Sequence, residues 1–206
     1  MVVLHYTAMK SARAARDTLC NPEAEVSAHY LIAEDGEVMS LVPEALRAWH
    51  AGAGRWGAFT DVNSRSIGIE IANDGFSPFA APQMDALTSL LTGIRARWDI
   101  RPERVIGHSD MAPGRKIDPG ARFDWRRLAC SGHAVWPQAV APCDPVQFVP
   151  AMHAFGYTAT DDPELLLSVF RLRFRPWASG PLDETDAGMI TDLASRFPVD
   201  VNAAWA

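Results

Sequence analysis

The sequence predicts an α/β protein: a mixed central β-sheet flanked by helices, followed by a small C-terminal unit of three helices. Three observations predict it. Short apolar runs ("VVLHYT", "SIGIEIAN", "RVIGH") alternate with helical patterns, and such alternation builds a sheet with helices packed on it. Two more apolar runs flank Glu34-Asp35-Gly36 in "AHYLIAEDGEVMSLV", where Asp-Gly accepts the positive φ angles of a tight hairpin turn. After "FDWRRLA" the composition shifts to "CSGHAVWPQAVAPCDP", rich in Pro and Ala, and beyond it the patterns are all helical.

Taken in chain order, "VVLHYT" is a short buried strand and "MKSARAARDTLC" has the Ala, Leu and Arg content of a helix. The hairpin follows. "RAWHAGAGRWGAFTDVNSR" carries Gly and aromatic residues without a sustained period, as expected of a long surface loop lining a cleft. "SIGIEIAN" returns to a strand. From Pro82, Met84, Leu87, Leu91, Ile94 and Trp98 recur at three- and four-residue steps and predict a helix. "RVIGH" is a further strand. The C-terminal helices are expected at about 145–154, 163–174 and 184–196. Leu166, Val169, Phe170 and Phe174 form the apolar stripe of the second, and Met189, Ile190, Leu193 and Phe197 that of the third. Arg171, Arg173 and Arg175 alternate with Leu172 and Phe174 and are expected on a solvated helix face. The boundaries read as a catalytic domain at 1–135, a linker at 136–146 and a helical domain at 147–206.

The net charge of −6 argues against a nucleic-acid surface, which clusters basic residues on one face. Three cysteines, Cys20, Cys130 and Cys143, make an odd count without C-x-x-C spacing, so neither a disulfide framework nor a cysteine metal site is expected. The start "MVVLHYTAMK" has no secretory-signal pattern, and no run reaches the length of a membrane span. A reducing, cytoplasmic setting is the expectation, with a periplasmic or outer-membrane-associated one the alternative if a removed leader preceded Met1.

The densest chemistry lies in "VIGHSDMAPGRKIDPG", where Pro113-Gly114 and Pro119-Gly120 already supply the bends and His108, Lys116 and Asp118 need another reason. Catalytic zinc takes three N or O ligands and keeps a fourth position open. His108 and Asp118 offer two, and His5, an imidazole inside an apolar strand, is the leading third. Glu70 stands among Ile67, Ile69 and Ile71, and an unpartnered carboxylate there costs several kcal/mol to desolvate. Alternation puts the isoleucines on one face and Ser66, Gly68, Glu70 and Ala72 on the other. That face is either solvated or the small-residue floor of a cleft, and in the second case Glu70 is a candidate general base. Lys116 offers a fixed cation for negative charge developing on a carbonyl oxygen.

Five segments in this order, "VLHYTA", "VSAHYLIAEDGEV", "LVPEALRAWHAG", "NSRSIGIEIAN" and "VIGHSDMAPGRKIDPGARFDW", resemble the zinc N-acetylmuramoyl-L-alanine amidases of the amidase_2 type, a group that includes T7-like lysozymes and peptidoglycan recognition proteins. The resemblance covers roughly residues 1–128 and is closest to bacterial amidases that recycle or trim muropeptides. It implies one zinc held by His5, His108 and Asp118, with Glu70 and Lys116 catalytic. It also implies hydrolysis of the amide between N-acetylmuramic acid, intact or 1,6-anhydro, and L-alanine. Ala28 stands where some members carry a tyrosine before the hairpin histidine. His29 and His50 fall on recurrent family positions beside the ligands or in the cleft, and Trp49 is placed to meet sugar or peptide. Arg65 is read as either a holder of a substrate carboxylate or a surface ion pair, and no role is assigned to His133 or His153. The segments "FGYTATDDPELLLSVFRLRFRP" and "GPLDETDAGMITDLASRF" resemble a three-helix peptidoglycan-binding domain. The partner implied is peptidoglycan or a muropeptide, with no nucleic acid, no integral membrane segment and no obligate protein partner. The rival expectation is a peptidoglycan-binding protein with little or no catalysis.

Overall fold

The computed structural model describes residues 1–138 and 141–199, so two residues of the expected linker and the last seven of the expected helical domain lie outside the described residues. Five strands, β1 (Val2–Tyr6), β2 (Tyr30–Ile32), β3 (Val38–Ser40), β4 (Ile67–Ile71) and β5 (Val105–Gly107), form one sheet in the order β3-β2-β4-β1-β5. β1 pairs in parallel with β4 and β5, β2 in parallel with β4, and β3 antiparallel with β2 as the hairpin partner. The helices are α1 (Ala12–Leu19), α2 (Ala81–Trp98), α3 (His108–Met111), α4 (Trp125–Cys130), α5 (Phe148–Phe155), α6 (Pro163–Phe174) and α7 (Glu184–Arg196).

Burial follows the two-residue period of the strands. Val2 and Leu4 of β1, the three isoleucines of β4 and Val105 of β5 face α2, which meets them with Met84, Leu87, Leu91 and Ile94. Leu31 and Ala72, on the opposite face, are covered by Ala12 and Ala15 of α1. Val3 and Ile106, also on that face, are covered by the C-terminal helices through Phe148, Phe155, Phe170 and Phe174. β1 is a continuous apolar run because both of its faces are covered. Each buried Phe contributes about 1.5–3 kcal/mol, so the helices are held on the sheet by a shared core. Between the two covered patches, His5, Gly68 and Glu70 share the face, with His108 just beyond β5.

Caps mark the helix starts. Asp162 accepts from the N–H groups of Glu164 and Leu165, and Pro163 fills the first turn of α6. Gln83 reaches back to the Ala80 N–H and donates to the Ala72 carbonyl at 2.7 Å, tying α2 to the end of β4.

Trp98 ends α2 within the expected helix, lies on an exposed side of its last turn and donates its Nε1–H to Glu44 at 2.6 Å. Two expectations need correction. The loop at 47–65 is not all surface: Trp56 is fully buried against Phe155 and Tyr157. The arginines of α6 are not a solvated face. Arg171 and Arg173 are buried, and Arg171 and Arg175 bond Asp186 of α7. Arg173 donates to Asp110 of α3 at 2.6 Å and to the Val105 carbonyl, with its guanidinium 4.1 Å from the Trp125 ring centre. The apolar covering of α6 by its neighbours is what turns this side inward, and each buried guanidinium then requires a carboxylate.

Candidate metal centre

The site forms where β1, β4 and β5 end, the edge at which parallel sheets of open α/β folds usually bind ligands. His5 and Glu70 are register partners on adjacent strands, so their side chains leave the same face. His108 is the first residue after β5, and the loop following α3 returns so that the Ser109 N–H donates to the Asp118 carbonyl at 2.9 Å.

The three expected ligands converge. His5 Nδ1 lies 3.0 Å from His108 Nδ1 and 2.9 Å from Asp118 Oδ2, and His108 Nδ1 lies 3.0 Å from the same Oδ2. These atoms form a buried group with the donor types and spacing of a metal site. Three ligands at about 2.0–2.1 Å from a tetrahedral ion stand about 3.3 Å apart, so a few tenths of an ångström of spreading seats one. The proton positions fit as well. His108 Nε2 faces the Ala51 carbonyl at 2.8 Å and must carry a hydrogen there, which leaves its Nδ1 as a bare lone pair directed at the other two atoms. Burial, followed by the repulsion a second imidazolium at His108 would impose, lowers the His5 pKa to about 4, so its imidazole is neutral at pH 7, the form a metal takes.

Glu70 opens partly to the cleft, yet its Oε2 is buried without a hydrogen-bond partner. Burial, then the charge of Asp118, raises its pKa to about 8, with Lys116 opposing. A buried carboxylate oxygen without a donor is costly, and this one lies on the strand paired with His5, which makes Glu70 a candidate for chemistry at the site.

The cleft has a volume of about 600 Å³ and is lined by all five, His5, Glu70, His108, Lys116 and Asp118, with Trp49 and His50. Lys116 is exposed, and Trp49, 59% exposed, stands under Arg47. His50 lies deeper, with Nδ1 3.0 Å from His5 Nε2. His29 does not line the cleft. Its Nδ1 accepts the Gly68 N–H and its Nε2 donates to the Leu46 carbonyl, which fastens the loop before His50 to β4. Arg65 is outside the cleft lining as well, stacked 4.9 Å from the Phe59 ring centre. His133 bonds Thr92 and Arg95 of α2, and His153 the Thr160 carbonyl.

Sequence reasoning missed Asn63 and Arg115. Asn63 Oδ1 accepts the N–H groups of His50 and Ala51, which aims His50 inward. Arg115 braces the Ala51 and Ala53 carbonyls. No local pattern announces these residues, because each acts on backbone distant in sequence.

Residues 1–121 match the model of the Amidase_2 family, N-acetylmuramoyl-L-alanine amidase. The chain is 34% identical to the N-acetylmuramoyl-L-alanine amidase AmiD of Escherichia coli, over 97% of this chain and 84% of AmiD. The structure of AmiD in complex with anhydro-N-acetylmuramic acid-L-Ala-D-γ-Glu-L-Lys superposes with a TM-score of 0.87 at 32% identity, covering 96% of this chain and 89% of AmiD. AmpDh3 of Pseudomonas aeruginosa in complex with anhydromuramic pentapeptide gives 0.86 at 33% identity, covering 97% and 92%. The match to a third relative, the 1,6-anhydro-N-acetylmuramyl-L-alanine amidase AmpD of Enterobacter cloacae, is 40% identical over 50% of this chain and 55% of AmpD. Mixed sheet, converging ligand atoms and family match agree: the chain belongs to the Amidase_2 family of N-acetylmuramoyl-L-alanine amidases.

Proposed function

We propose that the chain is a one-zinc amidase that cleaves the bond between the lactyl group of 1,6-anhydro-N-acetylmuramic acid and L-alanine of the stem peptide. The observation that carries this reading is the convergence of His5, His108 and Asp118 beside the unpartnered Glu70 oxygen. The anhydro sugar enters from the ligands of the AmiD and AmpDh3 complexes.

When bound, zinc supplies Lewis acidity toward the scissile carbonyl and toward water. The chain's own residues do the rest. Glu70 Oε2, having no donor of its own, accepts the proton of the attacking water and delivers it to the leaving alanine nitrogen. Burial and Asp118 raise its pKa to about 8 against the opposing charge of Lys116, and a metal's positive charge beside it would favour the ionised, accepting form. Lys116, on the cleft wall, offers its ammonium to the oxyanion as the carbonyl becomes tetrahedral. Trp49 presents an apolar surface at the rim for sugar or peptide, and Arg65, away from the lining, is left without a substrate role. The helical unit at 147–206 is the part proposed to retain the enzyme on the wall, on the resemblance of its two segments. Cytoplasmic residence goes with the recycling form of this function and residence outside the membrane with the wall-trimming form. Among the described residues no helix is long and apolar enough to cross a membrane.

The test is mass spectrometry of products after zinc-loaded protein meets purified anhydro-muropeptide and, separately, intact sacculi. Free stem peptide from the anhydro substrate, abolished by a chelator and restored by zinc, is expected. Additional release from sacculi supports wall retention by the helical unit. No release from either substrate overturns the amidase reading.

A further inference from the structure

We propose that Ser66 and His50 form a one-way proton-ordering relay that holds His5 in the tautomer a metal requires, making both of them positioning residues for the site. The proposal rests on the zinc reading above and adds two groups that touch neither metal nor substrate in it.

The direction of the relay follows from its far end. Ser66 Oγ donates to the Val62 carbonyl at 2.6 Å, so its single hydrogen is used there. Its contact with His50 Nε2 at 3.3 Å therefore runs the other way, with the imidazole N–H donating to the hydroxyl oxygen. A neutral imidazole with hydrogen on Nε2 has an accepting Nδ1. That Nδ1 lies 3.0 Å from His5 Nε2, which must then be the donor. His5 is left with an unprotonated Nδ1, the atom that faces His108 and Asp118. Four groups in series thus set the identity of one lone pair.

The surroundings keep the His50 ring in this place. Asn63 fixes its backbone N–H. Gly68 of β4 lies directly against the ring, where an added Cβ would stand 2.3 Å from Cγ of His50. Only a residue without a side chain at 68 lets the ring approach β4 so closely. Ordered partners behind a ligating histidine typically contribute 10–100-fold in metal affinity.

The experiment pairs two readouts on the full chain. Nitrogen-15 NMR of the imidazoles in metal-stripped wild-type protein is expected to show His5 and His50 each protonated at Nε2 alone. Zinc affinity by chelator competition is expected to fall about 10–100-fold in His50→Leu. His50→Asn, whose side-chain oxygen can take the Nδ1 position, is expected to recover most of that loss. Hydrogen on Nδ1 of His5 in the wild type overturns the relay and needs no variant to be seen. So does a His50→Leu protein that binds zinc as tightly as wild type, or a His50→Asn protein that is no better than His50→Leu. Failure of the wild type to bind zinc contradicts the metal reading instead, and the NMR result then still decides the relay.

Discussion

Asp110 and Glu70, two of the buried or partly buried carboxylates of this protein, are treated oppositely. Asp110, in α3, is satisfied at both oxygens: Oδ1 accepts from the Tyr157 hydroxyl at 2.7 Å, and Oδ2 from the Gly107 N–H at 2.7 Å and Arg173 at 2.6 Å. Glu70 has a buried Oε2 with no donor at all. The first arrangement holds the structure together, since it ties the helix that carries His108 to α6 and to the segment after α5. The second leaves an oxygen free to take a proton. Burial alone does not separate a carboxylate that ties elements together from one with an oxygen left free, and the difference lies in what is aimed at the oxygens.

The largest effect on this contrast is expected on the structural side. Arg173→Met leaves Asp110 charged and uncompensated in the core, a loss of about 3–5 kcal/mol in urea unfolding, with part of it regained in Arg173→Met/Asp110→Asn. A tolerated Arg173→Met would mean that the pair is dispensable and that the two carboxylates are less different than their partners imply. Next comes the opposite sign at the other site. In metal-stripped protein the folded state binds a proton on Glu70 up to about pH 8, against 4.5 for an unperturbed glutamate. The wild type is therefore fully stable, as far as this group is concerned, below 4.5 and loses stability as pH rises to 8. The stability of Glu70→Gln relative to wild type should rise over that window by several kcal/mol, read as denaturation midpoints at several pH values. A flat difference would show that Glu70 is paired in solution. The smallest effect is Tyr157→Phe, which removes one of three donors to Asp110 and should cost about 1–2 kcal/mol.

Much of the fold was legible in the sequence, for a physical reason. Strands buried on both faces show as apolar runs, as in "VVLHY", and a helix packed on one side shows its period, as in Met84, Leu87, Leu91 and Ile94. The clustering of His5, His108 and Asp118, with Glu70 beside them, was legible too, since a histidine or carboxylate in an apolar strand or crowded loop conflicts with its surroundings. What stayed hidden depends on distant partners. Arg173 reads as a solvated residue because its carboxylate is 63 positions away, and Asp186, the partner of Arg171, is 15 away. Trp56 sits in a glycine-rich stretch whose burial is decided by Phe155 of α5 and Tyr157 just after it. Trp98 continues the period of α2 into a last turn where a polar partner, Glu44, takes the indole instead.

If the three converging atoms hold one zinc and the free oxygen of Glu70 moves the proton, metal binding and turnover separate in a Glu70 variant. The direct measurement compares wild type with Glu70→Gln, zinc content by elemental analysis beside turnover of anhydro-muropeptide. One zinc per chain in both proteins, with turnover lowered by about 10²–10⁴-fold in Glu70→Gln, is the predicted result. A Glu70→Gln protein that turns over substrate at the wild-type rate with its zinc in place would contradict it.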